Sequence, residues 1–197
     1  MCMFEEKIVY FDSPGPENTE DVLKLALVRA KNRGIKNIVV ASTYGETAMK
    51  AVEIFNPKEF NLVIVTHMTG FLNPGEQQMS EDIRKSLIAK GAKVITCTHA
   101  LSGVERALRR QFNFYGPVEL MANALRLLGE GIKVCIEIVL MAADAGLIPI
   151  DEDVIAIAGT GFGADTATII KPAHTSNFFD LFVREIICKP RKSRDEA

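Results

Sequence analysis

Short apolar runs rich in Val and Ile recur along the chain: KIVYF (7–11), NIVVAS (37–42), NLVIVT (61–66), KVITCT (93–98), DVIAIAG (153–159), TATIIK (166–171) and REIIC (184–188). Each reads as a strand, and their near-continuous hydrophobicity is that of a parallel sheet covered on both faces. Between them apolar residues recur at helical spacing. The first helix starts with Asn18 or Thr19 as N-cap, buries Val22, Leu23, Ala26, Leu27 and Ala30, and stops at Gly34. TAMKAVEIF (47–55) predicts a second, and SEDIRKSLIAKG a third, between Ser80 as cap and Gly91 as stop. PVELMANALRLLG opens on Pro117 and ends at Gly129. IKVCIEIVLMAADAG (132–146) is β-branched at its start, but its length, MAADA and the terminal Gly146 favour a helix. The alternation predicts one three-layer α/β domain over residues 1–188. It has a mostly parallel twisted sheet, helices on both faces and a C-terminal antiparallel hairpin, and 189–197 is a flexible charged tail.

Composition narrows the classes. With 197 residues, 48% hydrophobic and 24% charged, the chain fills one core. A formal net charge of −2, with no basic block before the tail CKPRKSRDEA, argues against a nucleic-acid partner. Cys2, Cys97, Cys135 and Cys188 are far apart and include no C-x-x-C pair, which argues against a zinc cluster or disulfide framework and for a reducing compartment, the cytoplasm. MCMFEEKIVYF lacks the marks of a signal peptide, and VCIEIVLMAADAGLIP is too short and acidic to span a bilayer, so a soluble protein without a membrane partner is expected. Homo-oligomerisation is left open.

Two connections, 67–79 and 99–116, are longer than most, and such loops in compact domains are more often functional than idle. Ligands of open α/β sheets bind at the carboxyl ends of strands, here STYGETA, THMTGF, THALSG and GTGFGADTA. In the first, Ser42, Thr43 and Thr47 offer hydroxyls, Gly45 lets backbone N–H groups turn toward an anion, and a helix N-terminus follows. That is a phosphate cradle or, more plainly, a capped turn. Glu46 counters an anion or simply favours the helix start. GTGFGADTA looks like a dinucleotide fingerprint, but a strand follows it instead of a helix. It is then a glycine-rich hairpin, either a flexible turn or a backbone flap over a ligand.

His67, His99 and His174 all follow strand ends, as caps or ligand hydrogen-bonders more often than as metal ligands, and no metal site is assigned. Glu137 pairs with Lys133 one helical turn away, and Asp144 sits near solvent in a last turn. Cys97 shares a strand face with His99 but lacks an orienting group, which disfavours a nucleophile. Tyr44, Phe71 and Tyr115 either stack on a planar ring or anchor their loops.

The order A-x-x-x-A-x-x-x-x-x-x-NIVVASTYGETAMKAVEIFNP, then NLVIVT, then DEDVIAIAGTGFGADTATII resembles the C-terminal α/β domain of pyruvate kinase. In that family a strand runs into a Thr/Ser-rich turn before a helix, and a late glycine hairpin closes over an allosteric sugar phosphate. Ser42 to Ala48 and Gly159 to Thr166 match those two loops. The (β/α)₈ barrel is absent, so the parts that bind phosphoenolpyruvate, metal and ADP are missing and pyruvate kinase activity is not implied. Glu46 stands where the family usually has a basic residue, which disfavours a sugar bisphosphate, and segment 99–130 is longer than its counterpart.

The chain is similar to the free-standing archaeal-type version of this domain, a binder of flavin mononucleotide (FMN). The resemblance implies that Ser42, Thr43, Tyr44, Gly45 and Thr47 hold the phosphate. Thr66, His67, Thr69, Gly70, Phe71, Thr98 and His99 lie about the ring. The hairpin Gly159, Thr160, Gly161, Phe162, Gly163, Ala164, Asp165 and Thr166 closes over it. Gly45→Val is expected to abolish binding with little loss of fold. Two roles for a small phosphorylated ligand stay open: a flavoprotein, as an oxidoreductase, or a non-catalytic sensor that passes a metabolite signal to a partner. No catalytic residue is assigned.

Overall fold

Successive residues of the central strands point to opposite faces, and both faces are buried. In β2 (Asn37–Ala41) Ile38 and Val40 enter one core cluster and Val39 the other. The same split divides Leu62 and Ile64 from Val63 and Val65 in β3 (Asn61–Val65), and Ile155 and Ile157 from Val154, Ala156 and Ala158 in β5 (Val154–Ala158). That two-sided burial is what makes these runs apolar throughout. The computed structural model describes residues 3–196, so Cys2 lies outside the described residues. It completes the sheet with β1 (Val9–Phe11), β4 (Lys93–Ile95), β6 (Thr166–Lys171) and β7 (Phe182–Pro190), in the order β1-β7-β6-β5-β2-β3-β4. The pairs β1–β7, β2–β3, β2–β5 and β3–β4 are parallel, whereas β5–β6 and β6–β7 are antiparallel.

One face is covered by α1 (Thr19–Arg33), α2 (Glu46–Ile54) and α3 (Glu81–Ala89), which contribute Leu23, Ala51 and Leu87 among others. The other is covered by α6 (Glu130–Asp144), with α5 (Pro117–Arg126) against it. The β-branched segment is indeed a helix: α6 lies across β5, β6 and β2. It approaches closely because Gly131 has no side chain, and a Cβ there would fall 2.1 Å from Thr166 Oγ1. Ser80 caps α3 as expected, accepting from Ile83 N–H at 3.3 Å, and Gly34 ends α1 at φ 67°.

Several expectations shift. Asn18 holds the N-cap position of α1 but makes no side-chain capping bond: its Nδ2 donates to Ser13 O, and Thr19 Oγ1 accepts from Ala164 N–H at 2.9 Å. β4 stops at Ile95, after which Thr96 turns its hydroxyl to Thr66 Oγ1 at 2.6 Å. Cys97 is thus off the strand, and the shared face with His99 does not exist. β7 runs to Pro190, whose partner is Phe11, two residues past the expected limit of the domain. The 99–116 connection is not all loop: Glu105–Phe112 forms α4, ended by Asn113 in the left-handed region. Glu105 fixes this insertion by accepting from Val118 N–H and Glu119 N–H, at 3.2 and 2.8 Å, so its carboxylate serves the N-terminus of α5. No helix among the described residues is long and apolar enough to cross a membrane.

Candidate functional site

β2, β3 and β5 all end at one crevice, a cavity of about 300 Å³ floored by α6. The turn after β2 forms one side, where Ser42, Thr43, Tyr44, Glu46 and Thr47 line the space. Ser42 Oγ accepts from Ala48 N–H at 3.2 Å, which caps α2 and leaves the hydroxyl proton free to donate outward. The N–H groups of Glu46 and Thr47 precede the first intrahelical bond, Met49 N–H to Gly45 O at 2.8 Å. Gly45 is buried behind the turn with φ 111°, and a Cβ on it would lie 2.5 Å from Ile83 Cγ2 of α3. The expectation that Gly45→Val spares the fold is therefore corrected: the residue lets the turn pack on α3.

Opposite stands a wall of planar groups. The Phe71 ring lies 4.0 Å from His67 and 5.2 Å from His99, centroid to centroid, and the Arg106 guanidinium sits 4.0 Å over its face. His99 Nε2 accepts from Met68 N–H at 3.3 Å, while His67 Nδ1 is buried without a partner among the described residues. Burial, then the neighbouring His99 and Arg106, holds His67 down to about 4, and burial lowers His99 too. Both rings are neutral in neutral solution. Loop 67–79 has no helix or strand of its own, but Gln77 Nε2 to His67 O at 2.9 Å and Gly70 N–H to Glu76 O at 2.8 Å hold its shape.

The floor carries charge. Lys133 Nζ meets Glu137 Oε2 at 2.5 Å with both side chains almost wholly buried, and Glu137 Oε1 accepts from Leu101 N–H at 2.8 Å. The pair foreseen from spacing is present, but it lies beneath the cavity and not on a solvated face. Arg126 and Glu130 form a second pair at 3.0 Å on the rim. Once these pairs are set aside, Glu46 and Arg106 are the lining charges without an ionic partner among the described residues.

The hairpin is only partly at the site. Gly159, Gly161, Phe162 and Gly163 line the cavity, whereas Thr160, Ala164, Asp165 and Thr166 do not. Asp165 is wholly buried and accepts from Thr160 N–H at 2.9 Å and Thr166 Oγ1 at 2.7 Å. Cβ atoms on Gly159 and Gly163 would lie 2.6 Å from Gly163 O and 2.4 Å from Pro16 Cα. Most of the glycine content thus serves close packing, and a flap over 159–166 is narrowed to the exposed tip at Gly161 and Phe162. There Phe162 stacks on Tyr44, with centroids 6.2 Å apart and planes within 16°.

Thr66 and His67 line the cavity, whereas Thr69, Gly70 and Thr98 do not. Tyr115 is exposed and outside, and His174 is elsewhere, against Asp144 Oδ1 at 3.2 Å. The charged contributions of Arg106, Arg126, Glu130, Lys133 and Glu137 were missed as lining residues. The available signal was KVCIE, two charges one turn apart inside the most apolar helix. Among the described residues no group of three or more His, Cys, Asp or Glu is placed to hold a metal ion. The family model described as "Pyruvate kinase, alpha/beta domain" matches residues 20–170, from the first turn of α1 into β6 and through both loops of the crevice.

Proposed function

The chain belongs to the pyruvate kinase alpha/beta domain family, and from that premise we propose that it binds FMN in the crevice at the strand ends. What supports the reading is one juxtaposition: a helix-start turn with unspent donors faces a wall of neutral, planar side chains across a single cavity. The hydroxyls of Ser42, Thr43 and Thr47 and the first N–H groups of α2 take the phosphate. Glu46, beside them, tolerates one monoester and disfavours a second phosphate. His67 and His99, neutral planar rings beside Phe71, flank the ring of the ligand. A cavity of about 300 Å³ is at the small end for ligand sites, so the ring is only partly enclosed and Tyr44 and Phe162 cover its exposed part. When bound, the flavin supplies electron transfer; the chain's own groups bind, orient and exclude water.

Titration of the purified protein with FMN tests this. Flavin fluorescence should be quenched, and the melting temperature should rise with ligand by mass action, about 2.7 kcal/mol of stabilisation at a hundredfold excess over Kd. A colourless protein that ignores FMN but is stabilised by a sugar phosphate supports the sensor role instead.

A further inference from the structure

A second cavity, of about 350 Å³, opens beside the first and shares Ser102, Arg106, Arg126 and Glu130 with it. Its charged lining is Arg106, Arg109 and Arg126 against Glu119 and Glu130, one positive charge in surplus. The surplus has an address. Arg109 pairs with Glu119 at 2.7 Å and Arg126 with Glu130 at 3.0 Å, whereas Arg106 forms no ion pair among the described residues; Arg106 Nε and Glu119 Oε2 are both buried there without a hydrogen-bond partner among the described residues. Its guanidinium is also fixed in orientation, lying over the Phe71 ring. Arg106 N–H donates to Ser102 O at 3.3 Å, so the two side chains sit one turn apart, both lining each cavity.

A guanidinium without an ion pair keeps donors that an anion can take. We propose that Arg106, with Ser102, forms a subsite for a small monocarboxylate that binds beside the phosphorylated ligand. Arg presents a planar fork that matches a carboxylate in two parallel hydrogen bonds. A single negative charge fits because the lining carries one positive charge in surplus. The subsite stands on these contacts alone, whereas the role of its occupant as co-ligand rests on the flavin reading.

The test is titration of the ¹⁵N-labelled full chain with lactate, and separately with inorganic phosphate, while following the Arg106 Nε–H resonance. Lactate should shift it saturably, with and without saturating FMN. Arg106→Gln should weaken lactate binding, read from the Ser102 amide, by about tenfold or more, as expected for loss of a charge-assisted pair, and Arg106→Lys should restore part of it. Lys24→Gln, on the exposed face of α1 and outside both cavities, should leave it unchanged. Any one of four results overturns the proposal: no saturable shift, equal binding by Arg106→Gln, phosphate binding at Arg106 more tightly than lactate, or displacement of lactate by FMN. If wild-type protein binds lactate but not FMN, the flavin reading fails and the subsite stands.

Discussion

Two glycine-containing loops frame the crevice, and they use their residues in opposite ways. After β2, the turn 42–47 buries Gly45 against α3, and its residues Ser42, Thr43, Glu46 and Thr47 line the cavity. After β5, the hairpin 159–166 spends its polar groups on itself: Asp165 takes Thr160 N–H and the Thr166 hydroxyl, and Thr19 takes Ala164 N–H. Glycine is more frequent in the second loop, and hydroxyl-bearing residues that line the cavity are more frequent in the first.

The largest effect falls on the hairpin. Gly163→Ala combines φ 71° with a Cβ 2.4 Å from Pro16 Cα, and should cost about 3 kcal/mol or more. Gly161→Ala, at φ 85° with nothing within 4 Å, should cost only about 1–2 kcal/mol. Equal melting temperatures for the two would break the contrast. Asp165→Asn comes next, at about 1–3 kcal/mol, because it weakens two buried hydrogen bonds. Hydrogen exchange extends the same contrast: Ala164 and Asp165 amides should be protected without ligand, and added ligand should slow only the tip around Gly161 and Phe162.

A smaller, pH-dependent effect belongs to the planar wall. His67 falls from 6.5 to about 4 in the folded chain, so the unfolded chain binds more protons between those values. The stability held by neutral His67 is complete above pH 6.5 and is lost as the pH falls toward 4. His67→Leu should flatten that part of a stability–pH curve, and an unchanged slope would show that other groups set it. The smallest change in stability is expected at Thr43, which is half-buried and lines the cavity. Thr43→Val should stay within about 0.5 kcal/mol of the parent by thermal melting, yet weaken FMN by several-fold.

Strand periodicity made the sheet legible, since residues such as Ile38 and Val39 must be apolar to be buried on opposite faces. The turn 42–47 was equally legible, because its donors are contiguous in sequence. The floor and the arginine side were not. Lys133 and Glu137 look like any exposed i,i+4 pair until α6 is laid across the strand ends, and α4 is eight mostly polar residues whose fold depends on Glu105 meeting α5. Gly159 and Gly163 read as freedom in sequence and act as close packing in space, which only the position of Pro16 reveals.

The most direct measurement compares FMN with riboflavin in parallel fluorescence titrations of the same preparation. The two share the ring and differ in the phosphate, so the turn at Ser42–Thr47 predicts that FMN binds at least about tenfold more tightly, the scale of a charge-assisted hydrogen bond or more. Equal affinity for the two, or binding of neither, would contradict a crevice that joins a phosphate turn to a ring-binding wall.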